Sequence, residues 1–325
     1  RLVPRTLLVI SFRYHIVSIV SVFLALAIGV ALGGGPLKGE VDHTLVNQVK
    51  ADRKQRADMR AQITALRQTS HFEDSFASTV APGLLSGSLK GRVVTLVVLP
   101  DARQSTVTDL STLIGQAGGT VGGTLRMGQK LLDVANKQLV DELGSQLRAS
   151  ASDVNVPKGA SGYQQMGALI ARAIGTTEDG GAAIDDTANS ILAGLSTAGL
   201  MTSEGDVNRR GSLVLIVAGP SQAGSQTQQG SSTILATLAE EIDADTDGVV
   251  VTGPVTAART NGPIAAIRAD VVAARDVSTV DVVDRAAGRV VTVMALADQA
   301  QGRTGAYGAV NAADGAMPGA APAGG

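Results

Sequence analysis

The chain has 325 residues, a formal net charge of −2, 44% hydrophobic but only 2% aromatic residues, and no cysteine. Near-neutral charge without a basic, aromatic-interleaved patch argues against a nucleic-acid binder. The absence of thiols excludes a disulfide framework, a cysteine zinc site and a thiol nucleophile, so a soft metal ion would find only methionine and histidine.

In chain order, the first element is the stretch SFRYHIVSIVSVFLALAIGVALGGG, Ser11 to Gly35. From Tyr14 through Leu37 no residue carries a permanent charge, and Ile16–Leu32 is almost wholly Ile, Val, Leu, Phe and Ala. About 20 such residues in a helix cross a bilayer core of about 30 Å. Arg1, Arg5 and Arg13 precede the run, whereas Lys38, Glu40 and Asp42 follow it. That bias puts the amino-terminal side in the cytoplasm and everything from Lys38 onward outside. Residues 1–37 therefore read as a cytoplasmic end and a transmembrane anchor that meets the lipid bilayer through Ile16–Leu32. Ala31 and Gly33–Gly35 leave a cleaved signal peptide as the alternative.

Residues 38–72 read as a helical stalk. A heptad with a at Asp42, Val49, Arg56 and Ile63 and d at Leu45, Asp52, Met59 and Leu66 has five apolar seam positions of eight. Such a seam points to a coiled coil, and so to a homodimer or hetero-oligomer through Leu45, Val49, Met59, Ile63 and Leu66, or to a helix packed on its own domain. Lys50, Arg53, Lys54, Arg56 and Arg60 outnumber Asp52 and Asp58 there; a solvated face explains them, with a surface facing a polyanion as the alternative.

Ala81-Pro82-Gly83 is expected to break the chain. RVVTLVVLP, Arg92 to Pro100, and SLVLIVAGP, Ser212 to Pro220, read as strands buried on both faces, because their apolar runs are continuous rather than alternating. Thr106–Gln116 reads as a helix, Thr120–Arg126 as a shorter strand, and Gln129–Met201 as mainly helical. Ser231–Ile242 reads as a helix and GVVVTG, Gly248 to Gly253, as a strand. Ile264–Ile267 and Val277–Val280 are short strand candidates, and RVVTVMALA, Arg289 to Ala297, reads as the last strong strand. The fold class is α/β: a largely parallel sheet in an extracytoplasmic domain over residues 90–300, with a division into two lobes near 150–205 left open. Residues 301–325, rich in Gly, Ala and Pro, read as a disordered tail.

Chemistry-bearing motifs are sparse, and no catalytic or cofactor-binding residue emerges. The loop GPSQAGSQTQQGSS, Gly219 to Ser232, lies where a strand meets a helix and backbone amides hold anions, yet it matches neither a Walker loop nor a dinucleotide fingerprint. His15, His43 and His71 are spaced by 28 residues. On a continuous helix His43 and His71 share a heptad position but stand about 42 Å apart, too far for one ion. Met59, Met127, Met166, Met201, Met294 and Met317 form no closely spaced pair and read as core packing. Asp270, Asp276, Asp281 and Asp284 cluster late in the chain, where turns need solvated residues and a divalent cation is the alternative. A fold class alone supports no enzyme activity.

Taken together, SFRYHIVSIVSVFLALAIGVALG, VVLPDA, LIGQAGGTV, GLMT, LVLIVAG, IRADV, VSTVD, RVVTVMALAD and GAYG give the chain a resemblance to the copper transport protein B family of mycobacteria and their relatives. The resemblance runs to about Gly308. It implies copper efflux and a pore-forming role in the mycolate outer membrane, hence copper as the one metal to expect. Relatives in the corynebacterial line imply instead an envelope scaffold that acts with a membrane partner in cell separation and control of peptidoglycan hydrolysis. The family supplies no catalytic residue to carry over. Gln301–Gly308 contains no histidine, where some relatives lead one to expect it. An outer-membrane barrel needs alternating strands and aromatic girdles, which the continuous apolar runs here do not provide.

Overall fold

The computed structural model describes residues 12–33, 37–151, 153–154, 156, 158–221 and 226–319. Chain contacts divide it into two units, Arg1–Ser70 and His71–Gly325. In the first, α1 (Phe12–Gly33) is 22 residues long, has no buried residue, and is apolar enough to cross a membrane. Helix α2 (Leu37–Leu85) carries the heptad seam, then continues into the second unit. The break expected at Ala81–Gly83 is not there: Pro82 lies inside the helix. Ala81 and Leu85 are completely buried in the domain core, and that packing carries the helix past its proline.

The second unit runs β1 (Val93–Val98), α3 (Gln104–Gln116), β2 (Thr120–Met127), α4 (Gln129–Leu132), α5 (Lys137–Ser150), α6 (Gly162–Ile174), β3 (Ala182–Ala183), α7 (Asp186–Thr197), β4 (Met201–Glu204) and β5 (Arg209–Arg210). It continues with β6 (Leu213–Val217), α8 (Gln226–Asp243), β7 (Val249–Thr252), α9 (Pro263–Ala269), α10 (Ala273–Asp276), β8 (Ser278–Val280), α11 (Ala286–Gln299) and β9 (Ala306–Tyr307). Seven strands form one sheet in the order β4-β2-β1-β6-β7-β8-β9. Every neighbouring pair is parallel except β2 with β4. Strands β3 and β5 make a separate antiparallel pair.

The continuous apolar strands are explained by two cores, one on each face. Val214 and Ile216 of β6 point into a core shared with α5–α9, while Leu213, Leu215 and Val217 point into another shared with the end of α2, α3 and α11. A fully buried Leu or Ile contributes roughly 1.5–3 kcal/mol, so neither face of β6 can be polar. Thr95, buried in β1, is a polar exception, and it is satisfied: its Oγ1 donates to the Ile174 carbonyl and accepts from the Gly211 N–H, both at 3.0 Å. Residues 150–205 share the first core through α6 and α7, so His71–Gly325 is one unit.

Three further expectations are corrected. RVVTVMALA is not a strand but most of α11, which covers one face of the sheet and has ten buried residues. A short apolar run cannot distinguish a buried strand from a buried helix by periodicity, and Gly288 and the flanking alanines allow the helix to seat closely. Ile264–Ile267 lies in α9, where Pro263 occupies the first turn and Ile264 and Ile267 share the buried face. The tail is ordered through Gly319: β9 pairs with β8, and Tyr307 is 5% exposed. Residues 320–325 lie outside the described part.

One buried acid gives the unit a pH dependence. Asp243, at the end of α8, accepts the Val249 N–H at 2.9 Å. Burial raises its pKa to about 7 from 3.8; the Val249 bond opposes the rise and Asp276 adds to it. The fold holds this proton and the open chain releases it near pH 4, so the protonated group's contribution is full below that pH and lost as pH rises toward about 7. Asp243→Asn should therefore gain on the wild type in melting temperature between pH 4 and pH 8, as read by calorimetry at the two pH values. A constant difference would count against this assignment.

Candidate functional site

The parallel order β2-β1-β6-β7-β8 changes direction between β1 and β6, and in such sheets ligands bind outside the carboxyl ends of the strands at that point. Here VVLPDA and LVLIVAG meet. The Leu99 N–H bonds the Val217 carbonyl at 2.9 Å and the Ala218 N–H bonds the Thr252 carbonyl at 2.7 Å. Gly219 passes so close to the next turn that a Cβ would sit 2.5 Å from the Asp101 carbonyl carbon. Asp101 itself takes the left-handed conformation, φ 64°, an arrangement non-glycine residues adopt only when the surroundings enforce it.

A cleft lies on each side of this ridge. One is lined by Asp101, Gln129, Gln228, Ser231 and Ser232. The other, about 200 Å³, is lined by Arg103, Thr106, Pro254, Thr256 and Asp284. Their polar groups are amide, hydroxyl, carboxylate and, in the second cleft, the Arg103 guanidinium, which suit hydrogen bonding and offer soft Cu(I) neither thioether nor imidazole. Ser232 Oγ donates to the Asn261 carbonyl at 2.8 Å and has no histidine beside it to act as a base. Of the expected Gly219–Ser232 loop, 222–225 lie outside the described residues; Ser221 N–H reaches Thr256 Oγ1 at 3.4 Å, and α8 begins at Gln226.

IRADV, VSTVD and GAYG converge on a second constellation that sequence reasoning treated as separate motifs. Arg268 donates to Thr279 Oγ1 at 2.9 Å, to Asp281 at 2.8 Å, to the Tyr307 carbonyl at 2.8 Å and to the Val310 carbonyl. Asp281 is fully buried and also accepts the N–H groups of Ala309 at 2.7 Å and Val310 at 3.0 Å. This pair fastens the carboxy-terminal segment to the sheet edge. Burial, with Asp298 close by, pushes the Tyr307 phenol up to about 12.

The four late aspartates do not form one site. Asp270 caps Val272 and Ala273, Asp276 pairs with Arg275, Asp281 belongs to the clamp, and Asp284 stands exposed beside the second cleft. Among the described residues no group of three His, Asp or Glu is arranged to hold a metal. His15 lies on α1 and His71 on α2, both exposed; the side chain of His43 is outside the described part. The structure does bring two methionines together: Met127 of β2 and Met201 of β4 are direct cross-strand partners, so they share a face. Both are buried, at 3% and 1% exposure, among leucines, and a cation there would lose its hydration with no counter-charge. GLMT supplies Met201, and only the unexpected antiparallel edge strand reveals the pairing.

Comparison with known proteins places these features. Residues 9–318 match the family model described as copper transport outer membrane protein, MctB. The chain is 29% identical over 311 residues to the copper transporter MctB of Mycobacterium tuberculosis, covering 92% of this chain and 96% of that protein. The Mycobacterium bovis protein of the same name gives the same values, and the Mycobacterium leprae one is 28% identical over 320 residues. These relatives are named as transporters, not as enzymes. Since the match takes in α1, both clefts and the clamp, the chain belongs to the MctB family of copper transport outer membrane proteins.

Proposed function

We propose that the chain is a membrane-anchored, non-enzymatic envelope protein of copper homeostasis, held in the membrane by α1, with the residues from Lys38 onward extracytoplasmic. The observation that carries this reading is the family match over residues 9–318, beginning with an apolar helix. Copper is the cargo rather than a resident cofactor, and no described cleft offers it a soft ligand set. The seven-stranded sheet is open and covered on both faces, so it is not itself a membrane barrel. Conduction would need an assembly of several chains. A second reading, an envelope scaffold, is favoured by one observation: the seam residues Leu45, Val49, Met59, Ile63 and Leu66 are 47–67% exposed, available to another helix.

The two readings separate in cells. Total cell copper is compared in a deletion strain, its parent and a complemented strain at one elevated copper concentration. A rise reversed by complementation is expected for copper efflux. Unchanged copper together with a cell-separation defect would overturn it in favour of the scaffold.

A further inference from the structure

On α2, the positions flanking the seam are uneven. With a at Val49, Arg56 and Ile63, the e positions are Arg53, Arg60 and Arg67 and the g positions are Gln48, Gln55 and Gln62. In paired helices the e and g residues usually carry opposite charges and choose the partner. This helix carries the cationic half alone. Among the described residues, Lys50, Arg53, Lys54, Arg56, Arg60 and Arg67 appear in no ion pair.

We propose that the seam of α2 receives an amphipathic helix of another protein whose residues facing the Arg53, Arg60 and Arg67 row are Asp or Glu. A second copy complements the row less well: two copies anchored through α1 run parallel, which sets Gln48, Gln55 and Gln62 against the arginines and Arg56 against Arg56. A bare polyanion would use the arginines but leave the adjacent apolar seam in water, at a cost of roughly 25 cal/mol per Å² left unburied. The arginine row and the apolar stripe lie side by side along about four turns of helix, Arg53 to Arg67, which is the footprint of an acidic helix. This inference rests on the seam taking a helix, the second reading above, and does not depend on copper.

The test uses the full chain in neutral phosphatidylcholine bilayer discs. Two labelled four-heptad peptides with leucine at a and d serve as probes, one with glutamate at e and g and the other with glutamine there. The glutamate peptide is expected to bind about tenfold more tightly, with a gap that closes in high salt. R53Q/R60Q/R67Q, which changes only exposed helix positions, should erase the preference without changing the melting temperature. Equal binding of both peptides would overturn the acidic partner while leaving the seam. Binding of neither, with the chain already dimeric by sedimentation, would overturn both. Binding of inorganic polyphosphate but of neither peptide would assign the row to a polyanion and also overturn the proposal.

Discussion

Arg268→Met is expected to cost the fold about 3–5 kcal/mol, because it strands a fully buried carboxylate. The guanidinium is the charged partner of Asp281 and at the same time holds the carbonyls of Tyr307 and Val310. Methionine fills much of the volume and satisfies none of these groups. The midpoint of denaturant unfolding should fall with the slope nearly unchanged, as for a change in stability rather than in compactness. The double variant Arg268→Met with Asp281→Leu should recover part of the loss, since it removes the orphaned charge as well. A loss under about 1 kcal/mol would mean that the clamp is solvated and does not fasten the terminal segment.

Gly288→Ala should cost about 3 kcal/mol, although alanine is the better helix former by about 1 kcal/mol. A Cβ at position 288 would lie 1.8 Å from the Val282 carbonyl oxygen, a backbone atom that cannot rotate away, so relief requires moving α11 or the turn before it. The same substitution at Gly83, where nothing lies within 4 Å, is the matched control and should be neutral or stabilising. Thermal unfolding of the two variants side by side checks the assignment. Equal melting temperatures would mean that α11 does not seat against Val282.

The same contact shows where the sequence was legible. Strands β1, β6 and β7 were readable because both of their faces are buried, which leaves an unbroken apolar run. The residues of α11 are buried almost as completely, between the sheet and the helices α2 and α3, so their run looked like a fourth such strand. What decides between the two is the approach at Gly288, a tertiary fact. The tail misled for the opposite reason. Its Gly, Ala and Pro content conceals that its large side chain, Tyr307, is buried and that the Tyr307 carbonyl is held by Arg268. Of the candidate sites, the segments at the switch point and in the clamp were all noticed as motifs. Their convergence was not, because Arg268, Asp281 and Tyr307 come from three elements whose adjacency only the strand order determines.

The placement of β1 inside the sheet, between β2 and β6, also has a kinetic side. Val94 pairs with Leu213 and Val98 with Val217, partners that are synthesised well over a hundred residues later. Loops of that length make closure slow, and parallel pairing cannot begin with a local hairpin. As the chain emerges, VVTLVV must therefore stay uncovered on its β6 side until Leu213–Val217 arrives. Until then that apolar edge is open to pairing with another chain, so the long separation of β1 from β6 is an aggregation hazard during folding.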